Sequence, residues 1–172
     1  MKIQVFRDHG ELKDAVLLMF LPEGKDWGKA DLKLVRQWGA RLEEGFSGTA
    51  GRSRLCASGR RACLLVGLGK ADEMDLDGFR AALGTAVRLA ASQEIGSLAV
   101  DCGHLDGLGL AGDMAAECAV ACRLAGYRFT AFKSDPGEED CPRTLALVGS
   151  DPDLPGRVDL ALAVAEGVCL AR

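Results

Sequence analysis

Hydrophobic and polar positions alternate over residues 1–6, whereas residues 15–21 form an unbroken apolar run, Ala-Val-Leu-Leu-Met-Phe-Leu. Alternation fits a strand with one covered face, and a continuous run fits a strand covered on both. Residues 1–6 and 14–21 are therefore read as two strands, joined at His9-Gly10 as an antiparallel pair. Residues 31–44 place Leu32, Leu34, Val35, Trp38 and Leu42 at mostly three- and four-residue spacings. They predict an amphipathic helix with Asp31 as its cap and Gly45 as its stop.

Residues 52–57 and 61–68 flank Ser58-Gly59-Arg60 and predict a hairpin with a buried second strand. Asp75 or Asp77 opens a helix that runs to about Ser92, and residues 97–101 form a short strand. Residues 109–125 predict a further helix with Met114, Cys118, Ala121, Cys122 and Ala125 along one face. Residues 144–148 are the last strand, between the loops 134–142 and 151–156. Residues 157–172 carry Val158, Leu162, Ala165, Cys169 and Leu170 at helical spacing, and no Gly, Asn or Pro follows to end that helix. The chain is thus expected to continue beyond Arg172. Strands alternating with helices imply an α/β domain, a three-layer α/β/α arrangement around a central mixed sheet.

The chain has 172 residues, 48% of them hydrophobic and 27% charged, enough for one domain with a sizeable core. A formal charge of −4 gives no global attraction to nucleic acid or an anionic membrane. No signal-peptide pattern or membrane-spanning run is present, so a cytoplasmic location is expected. The seven cysteines, Cys56, Cys63, Cys102, Cys118, Cys122, Cys141 and Cys169, include no Cys-x-x-Cys pair and read as reduced, mostly buried side chains.

Candidate chemistry is sparse. Leu65-Val66-Gly67-Leu68-Gly69-Lys70 looks like a phosphate loop, but Asp72 stands where a dinucleotide fingerprint needs its third glycine. Leu64 and Ala71 stand where a Walker loop needs Gly and Ser or Thr. These glycines are read instead as letting the chain leave a buried strand tightly. His9, in a turn, and His104, in the glycine-rich loop 103–109, lack metal-site partners in sequence. Cys118 and Cys122 lie one helical turn apart, which favours core packing over a soft-metal site. Asp72, Glu73, Asp75 and Asp77 read as a solvated helix start. Arg52, Arg54, Arg60 and Arg61 form one basic patch, and Arg123, Arg128 and Lys133 form another with Tyr127, Phe129 and Phe132. Both are read as subunit contacts or solvated edges, with nucleic acid as the alternative. No catalytic, cofactor-binding or metal-ligating residue is assigned.

Five segments, in order, resemble the N-terminal part of the M17 leucyl aminopeptidase (cytosol aminopeptidase) family. They are residues 14–21; Phe46-Ser47-Gly48-Thr49-Ala50-Gly51; residues 64–70; Gly126-Tyr127-Arg128-Phe129 with Phe132-Lys133-Ser134; and Ala165-Glu166-Gly167-Val168-Cys169-Leu170-Ala171-Arg172. Cys169 stands where the family commonly has Asn.

The resemblance implies a macro-domain-like fold over residues 1–156, with residues 157–172 beginning the helix that leads into a catalytic domain. It also implies that the two divalent metal ions, Zn or Mn, belong to that following domain. The fragment itself then holds no cofactor and cleaves no peptide. Its implied partners are its own catalytic domain and the neighbouring subunits of a homohexamer, with a role in assembly and active-site access. Two alternatives stand beside this. One is a DNA-binding module, and the other is a small-molecule (ADP-ribose-type) module using Gly67–Gly69 or residues 103–109 as its phosphate loop.

Overall fold

The computed structural model describes residues 1–12, 14–24, 28–38, 45–58, 61–127 and 142–171. Six strands form one sheet: β1 (Lys2–Phe6), β2 (Val16–Glu23), β3 (Ser53–Ser58), β4 (Arg61–Lys70), β5 (Ser97–Asp101) and β6 (Thr144–Val148). Their spatial order is β1-β6-β5-β2-β4-β3, and every neighbouring pair is parallel except β3 with β4. The sheet is therefore mixed, as expected.

The first two strands do not pair with each other. β1 runs parallel to β6 at the sheet edge, while β2 lies between β5 and β4. The chain between them forms a short 3-10 helix, His9–Glu11, capped by Asp8, and not a hairpin turn. The apolar run decides this placement: Leu17 to Phe20 are at most 1% exposed, which only a central strand covered on both faces provides.

Alternate residues of the central strands feed two cores. Leu18, Phe20, Leu64, Val66, Leu98, Val100, Leu145 and Leu147 face helices α2 (Leu76–Ser92), α3 (Cys102–Gly107), α4 (Met114–Ala125) and α5 (Leu154–Leu170). Leu17, Met19, Cys63, Leu65, Ala99 and Ala146 face the other way, onto Val35 and Trp38 at the end of α1 (Lys29–Gln37). Three layers result.

Helix starts follow local capping chemistry. Asp75 caps α2 by accepting from Gly78 N at 2.7 Å, and Asp113 caps α4 by accepting from Ala116 N at 3.1 Å. The helix expected from Gly109 thus begins only at Met114. The expected loop 103–109 is helical as far as Gly107, where it forms most of α3, capped by Asp101 through His104 N at 2.8 Å. Asp31 does not cap α1, which begins after Gly28 without a side-chain cap. The expected end of that helix, residues 39–44, lies outside the described residues, as does Gly59-Arg60 of the hairpin. Between α2 and α4, Arg80 joins Asp77 at 2.8 Å to Glu117 at 2.7 Å.

β4 does not end at its glycines. It continues to Lys70, and the glycines admit a neighbouring loop. Gly69 N donates to Gly48 O at 2.9 Å and Gly67 N to Arg52 O at 2.8 Å, while a Cβ at Gly67 would overlap the Thr49 carbonyl. Two of the segments that carried the family resemblance, 46–51 and 64–70, are thus joined backbone to backbone. Glycine is required there because another chain passes where a side chain would stand.

Candidate functional site

β5 leads through α3 and α4 on one face of the sheet to β6, whereas its neighbour β2 leads through α1 on the opposite face toward β3 and β4. The connections leaving these adjacent strands diverge, and a crevice opens beyond their carboxyl ends, the usual place for a ligand in an open α/β sheet. His9, Asp31, Asp101 and His104, remote from one another in sequence, converge there around a cavity of about 380 Å³.

His104 is the buried member, 6% exposed. β2 pairs with β5 only as far as Leu18 with Val100, so the next N–H on that edge, that of Phe20, has no strand partner. His104 Nε2 accepts it at 2.9 Å. An accepting Nε2 places the ring proton on Nδ1, which donates to Asp31 Oδ1 at 2.9 Å. The imidazole therefore ends a sheet ladder with one nitrogen and orients a carboxylate with the other. Its ring also stacks on Phe20, with centroids 6.3 Å apart.

Asp101, the last residue of β5, accepts His104 N through Oδ1 and His9 Nε2 through Oδ2 at 2.9 Å. Burial pushes its pKa up, but the bonds and charge from His9 and His104 outweigh this and hold it below the ordinary carboxylate value. His9 packs edge-on against Trp38 at 5.9 Å, and its Nδ1 is buried without a hydrogen-bond partner among the described residues. Ala30, Lys33, Leu34 and Gln37 of α1 complete the wall with Gly103.

The two histidines thus meet through Asp101, which their sequence separation concealed. They do not form a metal donor set: both ring nitrogens of His104 are engaged, and among the described residues no three His, Cys, Asp or Glu side chains converge to hold an ion. The other sequence candidates stay apart from this crevice. Cys118 and Cys122 are buried in the larger core, and burial raises the Cys63 and Cys102 thiols, Cys102 to about 12. Cys141 lies outside the described residues. Asp75 and Asp77 serve α2 as cap and ion-pair partner, and Glu73 pairs with Lys70 at 2.8 Å.

Arg61 lies over the Trp38 ring at 5.5 Å and donates to Gln37 O, while Arg52 and Arg54 are exposed on the β3 side. Arg60, Arg128, Phe129, Phe132 and Lys133 lie outside the described residues. Of the two expected phosphate loops, residues 103–107 are helical and Gly67 is covered by the 48–52 loop. No described helix is long and apolar enough to cross a membrane.

The fold and the crevice define an α/β/α domain with a carboxylate–histidine network at its switch point. Residues 40–136, more than half of the chain, match the cytosol aminopeptidase family, N-terminal domain, and the chain belongs to that family. It is 35% identical over 120 residues to a probable cytosol aminopeptidase of Parasynechococcus marenigrum, covering 70% of this chain and 24% of that protein. A probable cytosol aminopeptidase of Synechococcus sp. is 31% identical over 140 residues, 76% of this chain and 27% of that protein. The chain thus spans about a quarter of the length of these relatives.

Among solved structures, a mutant tomato leucine aminopeptidase superposes over 100% of this chain and 37% of its own (TM-score 0.74, 20% identity) and shares the fold. The bottromycin maturation enzyme BotP in complex with Mn covers 92% of this chain and 31% of its own, with TM-score 0.64 and 27% identity.

Proposed function

We propose that this chain is the non-catalytic domain of a two-metal leucyl aminopeptidase. In this reading residues 1–156 form the domain and residues 157–172 begin the helix that joins it to the catalytic part. The observation that carries the reading is the family match to an N-terminal domain, in a chain a quarter as long as its relatives. The Mn bound by BotP supports two divalent ions, Mn or Zn, in the parent enzyme. The described residues of this chain offer them no donor set. Removal of N-terminal residues from peptides, in the cytoplasm, is then the work of the parent.

The domain's part is assembly of a homohexamer and control of access to the active sites. Leu160, Val164 and Val168 support a docking role, since they leave one face of α5 apolar and exposed.

The test has two arms. The chain alone, supplied with Mn or Zn and leucine amide, should show no turnover that follows the protein peak. The gene should encode, after the codon for Arg172, a further large domain with metal-ligating carboxylates. Turnover by the chain alone, or a stop codon at that point, would overturn the proposal.

A further inference from the structure

We infer that the switch-point crevice is a binding site for a free α-amino acid, held by its ammonium on Asp31 and Asp101 and by its carboxylate on Lys33 and Gln37. The cavity, about 380 Å³, is at the small end of ligand sites and suits a molecule of that size.

Its polar groups are set in place before any ligand arrives. Asp31 is fixed by His104, and Asp101 by His9 and His104 N. Each carboxylate has room for about four hydrogen bonds. Among the described residues Asp31 receives one donor and Asp101 receives two, and their side chains remain 28% and 27% exposed. Among the described residues neither carboxylate is paired with a Lys or Arg, so the spare acceptor positions belong to oxygens that still carry negative charge. An ammonium, with three donors and a full charge, answers both needs.

Lys33 has no ion pair or hydrogen bond among the described residues and stands on the same wall as Gln37, one helical turn further along α1. The lining therefore combines two carboxylates, one at the end of β5 and one on α1, with a cation and an amide on α1. A simple cation or a simple anion would satisfy only half of it. Ala30 and Leu34 supply an apolar surface for a side chain, which points to an aliphatic amino acid.

Such a molecule is also what an aminopeptidase releases, so occupancy would report product to the parent. That last link rests on the proposed function, whereas the binding does not.

Calorimetry on the chain with L-leucine tests the site, with leucine amide and 4-methylpentanoate as probes lacking the carboxylate and the ammonium. Saturable binding of leucine, on the order of millimolar or tighter, is expected, with 4-methylpentanoate giving none. Lys33→Met should weaken leucine about tenfold and leave leucine amide unchanged, because only the former loses a charge-assisted bond. Asp31→Asn should weaken both. Since Asp31 also orients His104, backbone amide shifts of Lys33 and Gly103 on titration give a second reading in the unsubstituted protein.

No saturable leucine binding, binding indifferent to Lys33→Met, or shift changes elsewhere but absent at Lys33 and Gly103 would each overturn the inference. Failure here, with the chain inactive and the downstream gene encoding the metal domain, would leave the proposed function standing.

Discussion

His104 performs at the residue scale a task usually left to a strand. Its Nε2 satisfies the Phe20 N–H where β5 falls short, and its Nδ1–H positions Asp31. His104→Ala would orphan a buried backbone donor, release the carboxylate and leave a void beside Phe20. The summed cost is about 3 kcal/mol, read as a lowered urea midpoint with an unchanged slope. A loss below about 0.5 kcal/mol would mean that solvent already reaches the Phe20 N–H.

Asp101 adds a pH dependence of definite sign. Its folded pKa lies below the ordinary value of about 4. It therefore contributes stability that is fully present above pH 4 and lost as pH falls through the lower folded value. Asp101→Asn should flatten the stability curve below about pH 4, and equal slopes for the two proteins in acid urea titrations would refute the assignment.

Capping governs the element scale. Asp75 holds the first turn of α2 through Gly78 N, so Asp75→Ala should cost about 1 kcal/mol, and Asp75→Ser should recover most of it. Circular-dichroism melts of the two variants check this.

The elements legible in the sequence were those whose signals are local. Asp75 was visible as a helix start, and Ser97–Asp101 and Thr144–Val148 as short apolar strands. Where chain-distant partners decide, the pattern was silent. β1 and β2 are near in sequence, yet each finds its neighbours in strands that come later, because the β2 run needs cover on both faces. α3 was hidden by Gly103 and Gly107, poor helix formers, and forms because Asp101 caps it and Leu105 anchors it in the core. The crevice was equally hidden: the four residues of its carboxylate–histidine network occupy positions 9, 31, 101 and 104, and only the order of strands in the sheet brings them together. A polar His104 just after a buried strand was the available hint, and the surrounding glycines argued for a loop instead.

At the scale of the whole molecule, α5 is the element whose surroundings are least complete. Leu154, Val158, Ala165 and Cys169 bury one face against the domain. Leu160, Val164 and Val168, spaced four residues apart on another face, remain 70%, 59% and 38% exposed. A helix that is apolar on both sides is normally covered on both, because an exposed stripe of that kind invites association. In the chain alone these side chains touch little, so replacing Leu160 and Val164 together by Ser should change its urea midpoint by no more than about 0.5 kcal/mol per site. If the proposed docking covers the stripe, then in a protein of the relatives' full length the same pair should lower the melting temperature by several degrees, because each serine would bury a hydroxyl. Equal melting temperatures for the substituted and unsubstituted long proteins would show that the outer face of α5 stays in solvent, and that docking between domains uses another surface.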